Sequence, residues 1–530
     1  MFIRLRTFHN RNGTTRTYVE LSRSYRKDGQ IHQEKLCSLG RLEELQSSGA
    51  VDSILRGLAR LSERQWVEAE AADLMGEWSR EYGPVLVFRR LWEKLGLQEL
   101  FEGLQRSSKV EFPVEEAVFV MVLNRLLEPE SKLGAYEWLR EKAYRPQADE
   151  LELHHLYRAL DFVDEHSQTV EEGLFLRSRD LFHLDVDLVF FDTTSTYFEG
   201  QGPEGLAERG YSRDKRPDLM QVMIGLVMTR EGIPIAHHVF PGNTADITIF
   251  TQAIADLRKR LAVRRVVIVA DRGVVSESLL EALDKGGIGY IVGIPLRKWK
   301  ASGKVLKRAG RYREVADNLR VKEVWEEGRR YVICHNPERE GEDSRRRAEI
   351  VAALEARLKQ GGLAGLAKGK GHGRYIEVRD GGEARVNWEK VKKDERYDGK
   401  LVLRSNTELR AEEIALAYKE LWRVEQGFRN LKSGLDLRPI RHWTPSRVRG
   451  HIMVCFLALV MESMLLRLMR DQGVRSSYQA VIKDLEQVKA VKVQLKDKSY
   501  LLRTELNGRA YDAFQAVGLR PPPRIQPFPG

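Results

Sequence analysis

Three carboxylates in this sequence have the surroundings that metal-assisted chemistry on a phosphodiester needs. The run Leu184-Asp-Val-Asp-Leu-Val-Phe-Phe-Asp192-Thr-Thr-Ser is β-branched and aromatic, and ends in an aspartate followed by hydroxyls. Arg264-Arg-Val-Val-Ile-Val-Ala-Asp271-Arg-Gly repeats that design. Both read as strands of a sheet buried on both faces, with a carboxylate at the carboxyl end, where α/β proteins place their sites. The third carboxylate, Glu425, lies in a helical stretch. There Ile414, Ala417, Leu421, Val424, Phe428, Leu431 and Leu435 recur at three- and four-residue steps, one stripe of an amphipathic helix. Tyr418, Glu425 and Lys432 are spaced by seven on a neighbouring stripe, with Trp422 and Arg429 close to that row. Two strand-end aspartates and one helix glutamate suit a pair of hard divalent cations, about 3.5–4 Å apart, that activate a water and neutralise a pentavalent phosphate. Taken alone, the helix is more often just a solvated face with ordinary charge pairs.

Together these stretches resemble the DDE transposases of bacterial insertion sequences, in the group with a Y-x2-R-x3-E-x6-K signature. Tyr418, Glu425 and Lys432 match that signature, while Leu421 stands at its arginine position and belongs to the apolar stripe. Gly210-Tyr-Ser-Arg-Asp-Lys-Arg-Pro-Asp218, Pro241-Gly-Asn-Thr-Ala-Asp246 and Tyr397-Asp-Gly-Lys-Leu-Val-Leu403 extend the likeness, which runs from about Phe2 to the proline-rich tail. The resemblance implies an α/β fold: an RNase H-like core with an inserted, largely β domain, preceded by a small N-terminal sheet and a helical domain. It also implies that Asp192 bridges two Mg²⁺ ions, with Mn²⁺ as a substitute. Asp271 would hold one ion, and Glu425 the other while orienting the water. Tyr418 and Lys432 would contact phosphates of the transposon end. Arg429, Arg423, Arg213 and Lys215 would be auxiliary phosphate contacts, Arg423 or Arg429 replacing the missing arginine. Trp299, Trp388 and Trp443 are candidates to stack on an extruded base, though each is more commonly a core or surface aromatic.

Other acids compete. Asp185 and Asp187 sit at the start of their strand, the wrong end, and Glu420 is off the Glu425 row. Asp246, in a loop able to approach the site, is the runner-up. His237-His238 is an unconvincing metal pair, because neighbours on a strand point to opposite faces.

With 530 residues the chain needs several cores. A formal charge of +11 and a pI near 9.3 favour a polyanionic partner, nucleic acid or an anionic membrane surface. Cys37, Cys334 and Cys455 are far apart and form no CxxC pair, which argues against a zinc knuckle or disulfide framework and fits a reducing cytoplasm. Met1-Phe-Ile-Arg-Leu-Arg lacks the apolar run of a signal peptide. Ile452 to Met469 contains Glu462 and Arg467 and reads as a buried helix rather than a membrane span.

In chain order, residues 1–42 read as a basic β-hairpin region, either a grip on DNA or a solvated cap. Residues 43–183 read as helical, with DNA-end binding somewhere among structural helices. Residues 184–295 hold the first part of the core: three strands, a helix, a strand, a helix and a strand. Residues 296–396 form the insertion, with a Lys368-Gly-Lys-Gly-His-Gly-Arg374 break, either a basic loop near DNA or a plain linker. Residues 397–472 complete the core, and 473–530 are a helical tail ending in a disordered proline-rich segment.

The expected function is DNA transposition: binding of terminal inverted repeats, cleavage and strand transfer into target DNA, by at least two protomers, in a bacterial cytoplasm at the nucleoid. A nuclease or resolvase of the same core that cuts without joining, and a non-catalytic DNA-binding descendant, are the alternatives. Inverted repeats flanking the coding region would separate them.

Overall fold

The computed structural model describes residues 1–61, 74–182, 188–260, 267–273, 275–297, 299, 301–359, 373–378 and 384–529. Asp185, Asp187 and most of the Lys368–Arg374 break lie outside them. The chain divides into two compact units, residues 1–75 with 493–499 and residues 76–492 with 500–530.

The first unit opens with β1 (Phe2–His9), β2 (Thr15–Lys27) and β3 (Gln30–Arg41), an antiparallel sheet in that order, followed by α1 (Leu42–Ser47) and α2 (Ala50–Arg60). The expected hairpin is present and gains a third strand. Asp28 and Gly29 join β2 to β3 with φ of 51° and 77°, the left-handed pair that a two-residue turn requires. Arg4, Arg6, Arg16, Arg23 and Arg26 are all exposed.

The stretch 43–183, expected to be helical, begins with α1 and α2 but also holds a strand, β4 (Leu74–Glu81). The bundle then comprises α3 (Gly83–Lys94), α4 (Leu97–Arg106), α5 (Val114–Leu127), α6 (Lys132–Glu141), α7 (Leu153–Glu165) and α8 (Ser167–Phe182). Helix α5 is buried from Val114 to Leu126, as its nearly unbroken apolar run demands.

The middle of the chain builds one nine-stranded sheet. Its first part runs β5 (Leu188–Tyr197), β6 (Gln221–Thr229), β7 (Pro234–Pro241), α9 (Asp246–Arg260), β8 (Val267–Ala270), α10 (Glu277–Lys285) and β9 (Gly289–Gly293). This is the element order read from the sequence. Strands β5, β6 and β7 pair antiparallel, while β8 lies parallel to both β5 and β9.

The insertion departs from expectation. After α11 (Ser302–Lys307), strands β10 (Arg313–Ala316), β11 (Leu319–Glu326) and β12 (Arg329–His335) do not form a separate β domain. They extend the central sheet, whose order is β10-β11-β12-β15-β9-β8-β5-β6-β7 once β15 (Lys400–Ser405) is placed. The physical reason is the ladder: β15 pairs with β12 on one side and β9 on the other, so the insertion's strands share its hydrogen bonds. The rest of the insertion is mainly helical: α12 (Pro337–Lys359), the small hairpin of β13 (Ile376–Val378) and β14 (Ala384–Val386), and α13 (Trp388–Glu395).

Both faces of the sheet are covered. Phe190, Val269 and Ile291 join one core with the bundle, whereas Val189, Phe191, Ile268 and Tyr290 join another with α9 and α10. The first face is closed by α14 (Ala411–Lys419), α15 (Trp422–Arg429) and α16 (Pro445–Asp471). By length and composition α16 could cross a membrane, but most of it is buried against α5 and α7, so the expectation of a core helix holds.

The tail is also not as expected. It contains α17 (Tyr478–Leu485), β16 (Lys489–Leu495), β17 (Lys498–Arg503), α18 (Arg509–Ala516) and β18 (Ile525–Pro527), and the strands form a sheet in the order β18-β17-β16-β4. The proline-rich end is thus ordered as a strand, Ile525–Pro527 pairing with Tyr500–Leu502. A proline is tolerated there because β18 is an edge strand.

Candidate active site

Asp192 is not at the end of its strand, as the sequence suggested, because β5 continues to Tyr197. What ends there is its neighbour. The parallel ladder sets Leu188 opposite Val267 and Phe190 opposite Val269, and β8 stops at Ala270. That register puts Asp192 level with Asp271, while pairing with β6 carries β5 onward to the Tyr197–Gln221 pair. Alternation then fixes the side chains. Phe190 and Val269 face the bundle core, so Asp192 and Asp271, two residues further along, turn to the face that α14 and α15 cover.

The glutamate segment is not one continuous helix. It breaks between Lys419 and Trp422, where the amides of Glu420, Leu421, Arg423 and Val424 each bond three residues back. It ends in a π-helical turn, Asn430–Gly434. The row of Tyr418, Glu425 and Lys432 is therefore interrupted, and Tyr418 and Lys432 reach different partners, Asp271 and Asp214. Leu421, at the break, is buried in the core, as its place on the apolar stripe predicted. Glu425 is exposed on α15, between buried Val424 and Phe428.

Tyr418 donates its hydroxyl to Asp271 Oδ1 at 2.7 Å. Burial and the adjacent Asp271 carboxylate push this phenol far above its ordinary pKa, so it stays a donor. The chain leaves room for the ring at Gly293, since a Cβ there would lie 2.3 Å from the Tyr418 hydroxyl.

Arg213 brings a cation beside Asp192. Its guanidinium donates to the Thr193 carbonyl, to Thr193 Oγ1 at 2.5 Å and to Asp246 Oδ1 at 2.8 Å, and stands 3.6 Å from Asp192 Oδ1. Asp246 in turn accepts from Thr193 Oγ1 at 2.8 Å. The runner-up acid thus does come to the site, but engaged with Arg213. Its approach depends on a backbone contact: Gly210 lies so close to the loop before Asp246 that a Cβ on it would sit 2.3 Å from the Gly242 carbonyl oxygen. Thr193 is a participant that sequence reasoning missed, although its place directly after Asp192 was a signal.

Asp192 carries the clearest electrostatic mark. Burial raises its pKa to about 6, against the pull of Arg213 and of the Thr193 amide, with Asp271 and Glu425 both pushing it up. The three carboxylates therefore feel one another. Among the described residues, no three His, Cys, Asp or Glu side chains are gathered tightly enough to enclose an ion. As donors they fit a hard divalent cation: all-oxygen and anionic.

The remaining expected residues divide into engaged and free. Lys432 donates to Asp214 at 2.7 Å and is largely buried. Arg423 lies over Trp422 and donates to the Glu231 carbonyl at 3.3 Å, in the β6–β7 turn. Arg429 and Lys215 are exposed. Glu420 pairs with Arg230, away from the carboxylates. His237 binds Glu171 and His238 faces Asp256, so the two histidines form no metal pair. Trp299 packs against the second core, whereas Trp388 and Trp443 are exposed. A cleft of about 1320 Å³ opens beside Asp271 and Glu425, walled by Tyr418, Trp422, Arg272 and the insertion's Arg339 and Arg346.

Comparison with known proteins places the chain in a family. Residues 183–461, more than half of the chain, match the family described as transposase DDE domain. Residues 3–72 match the IS1634 family transposase N-terminal domain. No curated protein matches the chain. Among solved structures it is similar to a Mos1 transposase paired-end complex with left transposon end, at 15% identity over 46% of this chain and 66% of that one, with a TM-score of 0.15. The Mos1 mariner paired end complex with Mn is similar at 12% identity over 47% and 70%, with a TM-score of 0.14. At these scores the likeness carries no weight for the fold, and the chain spans about two thirds of the first of those chains. The motifs, the carboxylates facing one side of the sheet and the match over the core together establish that this chain belongs to the DDE transposases of insertion sequences.

Proposed function

We propose that the protein binds the terminal inverted repeats of its insertion sequence, cleaves the DNA there and transfers the freed 3′-hydroxyl into target DNA. The observation that carries this reading is the level placement of Asp192 and Asp271 on the face covered by α15, in a chain of the DDE family. In this reading the central sheet is an RNase H-like core, interrupted by residues 296–396, and the strand order of β5 to β9 supports it.

Asp192, Asp271 and Glu425 would hold two Mg²⁺ ions, or Mn²⁺ in their place. Bound there, the ions would lower the pKa of a water and offset the charge of the pentavalent phosphate. The chain's own groups prepare the site. The Tyr418 hydroxyl fixes the Asp271 carboxylate through a charge-assisted hydrogen bond. Arg213 keeps positive charge beside Asp192 and helps it remain ionised. Arg429, Lys215 and Arg272 offer exposed charge for phosphates near the cut, and the arginines of the insertion extend it along the cleft. The basic sheet of the first unit is a second surface for end DNA. Pairing of two ends asks for a homodimer, and the substrate sets the location at the bacterial nucleoid.

The test is Mg²⁺-dependent cleavage of a duplex carrying the element's terminal repeat, comparing wild type with Glu425→Gln. Nicking at the repeat boundary by wild type only, with binding retained in the variant, supports the proposal. Equal cutting by both removes Glu425 from the site, and binding without cutting by either favours a non-catalytic role.

A further inference from the structure

Lys432 and Arg438 do not end in solvent, where a phosphate contact would be. Both reach one oxygen of Asp214, at 2.7 Å and 2.5 Å. The side chains of Lys432 and Asp214 are only 11% and 7% exposed, so phosphate could reach the ammonium only by displacing the carboxylate. The other oxygen, Asp214 Oδ2, is buried without a donor among the described residues. A carboxylate removed from water in this way is held by its cations or not at all. Its loop therefore goes where Lys432 and Arg438 are.

Asp214 follows Arg213 directly. The Arg213 amide donates to Ser195 Oγ at 3.0 Å, and its guanidinium spans Thr193 and Asp246 beside Asp192. The next residue, Lys215, has φ of 59°, a left-handed conformation that costs a lysine and persists only where neighbours enforce it. The loop is thus tied to β5 through Arg213 and to the π-helical turn after α15 through Asp214.

We propose that Asp214, clamped by Lys432 and Arg438, is a positioning residue. It locks the 210–218 loop so that Arg213 stays against Asp192, and it couples that loop to the segment carrying Glu425. Lys432 then acts through Asp214 instead of on DNA. This rests on the reading of Asp192 as a reaction-centre carboxylate, but the clamp can be tested separately.

Hydrogen–deuterium exchange over residues 210–218, on full-length protein without DNA, tests the clamp directly. Asp214→Asn and Lys432→Gln are each expected to speed exchange in that loop, and the double variant to match the single ones. Arg438→Gln, the milder lesion, is expected to do so to a lesser degree, and Lys432→Arg to stay near wild type. Unchanged loop exchange in the folded variants overturns the proposal. Cleavage assays add the functional arm. Displacement of Arg213 is expected to slow cutting about ten- to hundredfold, non-additively between Asp214→Asn and Lys432→Gln, with repeat affinity unchanged. Weaker binding by Lys432→Gln, with a salt dependence reduced by about one phosphate contact and independent of Asp214, restores the phosphate role and overturns the clamp. A wild type that cuts nothing counts against the transposase chemistry, while the exchange data still decide the clamp.

Discussion

The two aspartates and the glutamate are held in different ways. Asp192 and Asp271 are placed by a backbone ladder: once Leu188 pairs with Val267, the register carries both carboxylates to the same level and face. Glu425 has no ladder. Its segment kinks at Leu421 and closes in a π-helical turn, and it is anchored by side chains, Asn430 to Glu462 at 2.7 Å and Lys432 to Asp214. Ladder hydrogen bonds are many and shared, so the sheet half of the site is stiff. The helix half depends on a few buried polar contacts, each of which a single substitution removes. Interruptions of this kind within helices are frequent at functional sites.

The largest expected effect lies in the sheet half. Asp192→Asn keeps the ladder and the shape but removes a carboxylate whose pKa burial raises to about 6. Cleavage of repeat DNA is expected to fall about a thousandfold or more, the loss of several kcal/mol of metal-assisted stabilisation, with an unchanged circular dichroism spectrum and melting temperature within a few degrees. A large loss of stability instead would mean that Asp192 serves the fold.

A smaller effect is expected where the halves meet. Tyr418→Phe deletes the bond to Asp271, a charge-assisted contact worth about 1.5–3 kcal/mol, and cutting is expected to slow about tenfold. Gly293→Ala drives a methyl into the same hydroxyl and is expected to cost a similar factor. In a Tyr418→Phe background its further cost is expected to shrink, because the nearest clashing atom is gone. Additive losses in the double variant would show that the two positions act separately.

The smallest effect concerns the helix anchor. Burial raises the Glu462 pKa to about 7 from its ordinary 4.5. The folded state therefore binds this proton more tightly than the unfolded chain, so Glu462 favours folding at low pH and loses that contribution as pH rises from about 4.5 through about 7. Glu462→Gln keeps an acceptor for Asn430 and cannot ionise. Above pH 7 it is expected to be more stable than wild type by about 1–2 kcal/mol, with no gain near pH 4, measured by denaturant titration at both. Equal gains at both pH values would assign the effect to packing.

Much of this could be read from the amino-acid order, for physical reasons that differ by element. Val267–Ala270 and Leu188–Phe191 are apolar enough to be nothing but buried strands, and each leads to a carboxylate. Glu425 was recognisable by its spacing from Tyr418 and Lys432 and by the apolar stripe beside it. The break at Leu421 was not, since neither glycine nor proline marks it, and the apolar period of three and four runs through it undisturbed. The insertion's strands were visible as alternation, but alternation does not name a partner, and only pairing of β12 with β15 joined them to the central sheet. The final strand was hidden by its prolines, which a sheet edge accepts and a sheet interior does not.

The sequence by itself determined which carboxylates are the candidates, the order of strands and helices that brings two of them to one level, and the basic charge that suits a polyanion, because these follow from side-chain period and composition. The tertiary structure decided what the cations do. Lysine and arginine have long, adaptable side chains, and their partners are chosen by whichever buried carboxylate lies within reach. That is why Lys432 ends on Asp214 and Arg213 beside Asp192.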